Sequence, residues 1–92
     1  NYATCFFAFH EMPPCAWSKI IKNTEAFITD KIIIVDISPD YSPSKSMLSG
    51  EPYLLEYKNK IQNVLKKHKF EENTLIKGHV TMWEKIITNK IE

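Results

Sequence analysis

Met12-Pro13-Pro14-Cys15 is the stretch best placed to do chemistry, because it closes a short apolar run and opens a helical pattern. A cysteine at a helix start meets unpaired N–H groups and the positive end of the dipole, which stabilise a thiolate and lower its pKa. Met12, three positions before Cys15, carries a thioether. It can neither ionise nor leave as a thiolate. Cys15 is therefore the one candidate nucleophile, expected to be shielded one turn into the helix. Cys5 is not expected to bond to it, since a strand residue and a residue in the next helix start should not come within the roughly 5.5–6 Å that a disulfide needs between Cα atoms. His10, His68 and His79 lack ligand spacing with Cys15 or Met12, and no metal or cofactor is expected. The Ser-Pro pairs at 38–39 and 42–43 read as turn chemistry, and Trp17 and Trp83 read as core.

Several elements must position these groups. Ala3 to Phe9 is short, aromatic and nearly all apolar, which predicts a central strand buried on both faces. His10 to Pro14 is a turn, with proline favoured just inside the helix that follows. Trp17, Ile20, Ile21, Thr24 and Ile28 recur at helical spacing, with Lys19, Lys22 and Glu25 facing away. Ile32 to Ile37 is β-branched and predicts a second buried strand, making a right-handed parallel unit with the first. Ser38 to Ser46 is loop, with one short helix near Lys45 to Leu48. From Pro52 to His68 two readings compete. Leu54, Leu55, Ile61, Val64, Leu65 and His68 fit a helix, whereas Tyr53–Lys58 and Ile61 onward fit two strands joined by an Asn59-Lys60 turn. The charged residues from Lys66 to Glu72 read as a solvated loop or strand end. Val80, Trp83, Ile87 and Ile91 make one helical face, predicting a closing helix capped by Thr81 and Glu84.

Composition narrows the function classes. The 92 residues suit a single domain over 1–92, and 43% hydrophobic content supplies its core. Twelve Lys, no Arg and eleven acids leave a net charge of +1. That balance argues against a nucleic-acid surface, as does the lack of the residue that reads phosphate and guanine bidentately. Apolar runs as short as Cys5–Phe9 and Ile32–Val35 fall far below the roughly 20 residues of a membrane span. A cytoplasmic monomer is expected.

The order of these pieces resembles the thioredoxin family. Cys15 preceded by Pro14, at the head of the first helix, is similar to the second cysteine of the family motif, with Met12 standing where the first would be. Ser49-Gly50-Glu51-Pro52 followed by Tyr53 to Asn59 is similar to the family's cis-proline and the strand after it, and Thr74 to His79 leads into what looks like its closing helix. The resemblance implies an α/β fold with a central mixed sheet of about four strands in the order β-α-β-α-β-β-α, flanked by helices. It also implies that Pro52 is cis, and it decides for the hairpin at Pro52 against the local pattern. The family's buried acid would fall near Phe6, and Glu11 replaces the aromatic residue before the motif, so the reactive machinery looks lost. The expectation is a groove formed by His10, Glu11, Met12, Pro13, Pro14, Cys15, Glu51 and Pro52 that binds a protein partner without turning it over. The alternatives are a redox protein using Cys15 alone or a partner's cysteine, and an unrelated small α/β interaction module.

Overall fold

A computed structural model describes residues 1–87. Four strands, β1 (Tyr2–Phe6), β2 (Lys31–Ile37), β3 (Glu71–Ile76) and β4 (Val80–Ile86), form one mixed sheet in the order β1-β2-β4-β3. Three helices, α1 (Trp17–Glu25), α2 (Lys45–Gly50) and α3 (Leu54–Lys67), complete the α/β fold.

The centre belongs to β2, whose run of three isoleucines and a valine tolerates burial on both faces. It pairs in parallel with β1, with Cys5 opposite Ile34, and antiparallel with β4, with Ile34 opposite Trp83. β1 was expected in that place but lies at the sheet edge. Its Ala3 and Cys5 point inward while Tyr2, Thr4 and Phe6 face out, a period-2 alternation suited to one covered face.

Pairing fixes two faces. Ala3, Cys5, Ile32, Ile34 and Trp83 share the inner one, and there Trp17 and Ile21 of α1 and Leu54, Tyr57, Ile61 and Leu65 of α3 close the core. Tyr2, Phe6 and Ile86 stand exposed on the other.

The region after Pro52 corrects the hairpin expectation. It is the 14-residue helix α3, and no peptide bond among the described residues is cis, so Pro52 is trans. The reason is burial: Leu54, Tyr57, Ile61 and Leu65 are all fully buried at helical spacing, whereas strand alternation would have split them between two faces.

The expected closing helix is also corrected, since Val80–Ile86 is strand β4. Thr81 and Trp83 alternate inward along it, and β2 supplies the ladder partner. Ile91, assigned to that helix, lies outside the described residues. Lys77-Gly78-His79 joins β3 to β4. Gly78 takes φ +74°, the left-handed conformation that a three-residue hairpin loop requires. Two smaller expectations hold. The short helix after the Ser-Pro loop is α2, where Ser44 Oγ accepts from Met47 N–H at 3.1 Å, and α1 follows a 3-10 turn that starts at Pro14.

Candidate functional site

The site lies where the parallel strands β1 and β2 end, the position at which open α/β sheets leave a crevice. Phe7, one residue past β1, has φ +54°, a strained value for an aromatic residue. Its N–H still donates to Val35 C=O at 2.8 Å. The chain then turns inward and runs through a 3-10 turn over Phe9–Glu11.

Asp36 holds that turn. One oxygen of its buried carboxylate accepts from Phe9 N–H at 2.9 Å and, more weakly, from His10 N–H at 3.4 Å. The other lies 2.8 Å from His10 Nδ1 and accepts from Ile37 N–H at 2.7 Å. With Nδ1 donating its N–H to the Asp36 carboxylate, Nε2 is the ring nitrogen left on the Glu11 side. Trp17 Nε1–H donates to Phe9 C=O at 3.1 Å, and the Tyr57 ring meets His10 edge-on with centroids 6.1 Å apart. The Tyr57 hydroxyl donates to Ile37 C=O. Its burial, reinforced by the charges of Asp36 and Glu72, pushes its pKa upward and keeps it a neutral donor.

On this base sit the acids. Glu11 Oε2 lies 3.8 Å from His10 Nε2, and the ligating atoms of His10, Glu11 and Glu51 fall within 4.8 Å of one another. The two halves of the expected groove, far apart in sequence, thus meet at His10, Glu11 and Glu51. The helix α3 packs on both 3-10 turns, and Glu51 stands just before it, its C=O accepting from Leu54 N–H at 3.2 Å.

The remaining groove residues divide. Pro13 and Pro14 are half-buried at the helix start, and Met12 packs against the core, so its thioether serves as filler. Pro52 is exposed. Cys15 is exposed too, which corrects the expectation that the helix shields it: it lies in the 3-10 turn before α1, on the side away from the core. Both cysteines are free.

His68 and His79 are not at this site. The former bonds Ser18 Oγ through Nε2 at 2.8 Å, and the latter packs on the Tyr41 ring.

Asp36 and Tyr57 are the residues at this candidate site that sequence reasoning missed. The signal was available: an aspartate inside the apolar run Ile32–Ile37 can be buried only if donors converge on it. No protein-family model, curated protein or solved structure matches this chain.

Proposed function

We propose that this chain is a binding domain that holds a segment of a protein partner on the surface formed by His10–Cys15 and Glu51–Pro52, without chemical turnover. The observation that carries this reading is the convergence of His10, Glu11 and Glu51 on a base fixed by Asp36. That rigid base presents two carboxylates to donors of a partner at little ordering cost. A thioredoxin-like arrangement belongs to the proposal. Its support is the strand–helix–strand opening with Pro14-Cys15 at the helix head; the edge position of β1, the trans Pro52 and the helix α3 are departures from it. We assign the domain to the cytoplasm as a monomer, where two free thiols stay reduced. Among the described residues no helix is long and apolar enough to cross a membrane.

The test selects peptides from a display library on the intact chain. Binding of the selected peptides should be lost in Glu11→Lys/Glu51→Lys and kept in Phe6→Ser, which alters the opposite sheet face. Peptides indifferent to the two charge reversals, or released by Phe6→Ser, would overturn the assignment.

The exposure of Cys15 favours a second reading, in which its thiolate attacks a partner disulfide, forms a mixed disulfide and expels the other sulfur as a thiolate. Incubation with oxidised glutathione should then add one glutathione to the wild type at Cys15 and none at that position in Cys15→Ser.

A further inference from the structure

The geometry points to a site for one divalent transition-metal ion, with zinc the best match, held by His10 Nε2, Glu11 and Glu51. The imidazole is the observation that goes beyond two neighbouring acids. Its side chain is 8% exposed, among the described residues no hydrogen bond reaches Nε2, which lies 3.8 Å from Glu11 Oε2, and one ligand atom each of the imidazole, Glu11 and Glu51 lie within 4.8 Å of one another. Its other nitrogen is fixed by Asp36 at 2.8 Å. A carboxylate on Nδ1 with Nε2 left to the ion is the arrangement that sets the tautomer and raises the basicity of metal-binding histidines.

The donor set selects the ion. An imidazole with two carboxylates suits zinc and its first-row neighbours, whereas calcium and magnesium prefer all-oxygen shells. Zinc bonds of about 2.0–2.2 Å in tetrahedral geometry put donors roughly 3.4 Å apart. The His10–Glu11 separation of 3.8 Å is close to that. Glu11 is exposed and Glu51 half-buried, so rotation of their carboxylates supplies the remaining contraction. Three protein ligands leave a fourth position for water or a ligand from outside, as in open zinc sites. The sequence expectation of no metal weighed the scattered histidines with Cys15 or Met12 and did not consider the two glutamates.

The inference does not rest on partner binding, and its test uses the ion alone. Zinc is titrated into the chelator-treated full chain against a chromophoric competitor. The wild type should bind one zinc per chain. Glu11→Gln and Glu51→Gln, both at accessible positions, should each weaken binding tenfold or more, since even outer-shell partners of a metal are worth about 10–100-fold. Cys15→Ser, His68→Gln and His79→Gln should leave it unchanged. Absence of stoichiometric binding at micromolar zinc, full affinity in both glutamine variants, or loss of binding in Cys15→Ser, His68→Gln or His79→Gln would each overturn the site.

Discussion

His10 Nδ1 and Asp36 Oδ1 lie 2.8 Å apart, joining the turn that follows the edge strand to the end of the central strand. Both residues are buried. A buried carboxylate is tolerable only while donors surround it, and this one gathers the ring N–H of His10 with the backbone N–H groups of Phe9 and Ile37. Folding of the 9–11 turn and placement of His10 are therefore one event, and Asp36 serves both.

Asp36→Ala should lower stability by at least about 3 kcal/mol, because several buried donors lose their acceptor at about 1–3 kcal/mol each and these losses are not strictly additive. Asp36→Asn, isosteric and still able to accept, should cost less. Urea unfolding of the three proteins checks the order. An alanine variant as stable as wild type would mean that water already satisfies these donors.

Asn59→Pro distinguishes the observed helix from the hairpin that the resemblance implied. Asn59 is exposed in the middle of α3, where proline removes a backbone hydrogen bond and clashes with the preceding turn, costing about 3 kcal/mol or more. In the hairpin the same residue would occupy the turn, where proline costs little. Near-wild-type stability would contradict the helix. Asn59→Ala, on helix propensity alone, should be neutral or slightly stabilising.

The contrast at α3 shows what local pattern could and could not carry. Leu54, Ile61 and Leu65 lie at helical spacing, and that periodicity was the right guide; the similarity of Gly50 to Asn59 to a family segment pointed the other way. Strand β2 was legible because an uninterrupted β-branched run has few other uses. Strand β4 was not, because Val80, Trp83 and Ile87 also stand three and four apart, and seven residues are too few for the inward alternation of Thr81 and Trp83 to prevail without knowledge of β2. All six residues of β3 are exposed, so it carries no burial pattern, and pairing to β4 alone makes it a strand. At the site, the segments from His10 to Cys15 and Glu51 to Pro52 were brought together in the sequence only by the family resemblance, not by any local pattern. Their meeting depended on Asp36 and α3, which are non-local facts.

Stability should fall as the solution is acidified below about pH 6.5, with His68 contributing. Burial is the largest effect lowering its pKa from the ordinary 6.5; Lys85, Lys22 and Lys67 add to it and Glu25 opposes. A folded-state pKa below the unfolded one means that the unfolded chain takes up the proton first. The stabilisation is thus complete above the unfolded value and is lost as pH falls through the folded one. His68→Gln should show a smaller difference in urea midpoint between pH 8 and pH 5.5 than wild type. An equal difference would assign the acid sensitivity to other groups.

Brief alkylation of the native protein at pH 8 should label Cys15 well before Cys5. The thiolate is the reacting species, and access limits it further. Cys15 is exposed in the 3-10 turn before α1. Cys5 is half-buried on the inner face of β1, where burial foremost, and then the negative charge of Asp36, push its thiol pKa upward. Both effects act in one direction, so the two rates should separate clearly in the folded state and converge when denaturant removes burial and the Asp36 field together. Peptide mapping by mass spectrometry after timed quenching reads both sites at once. Equal native rates, or Cys5 reacting first, would mean that β1 opens readily from the sheet edge, and the inner face could then no longer be treated as closed at Cys5.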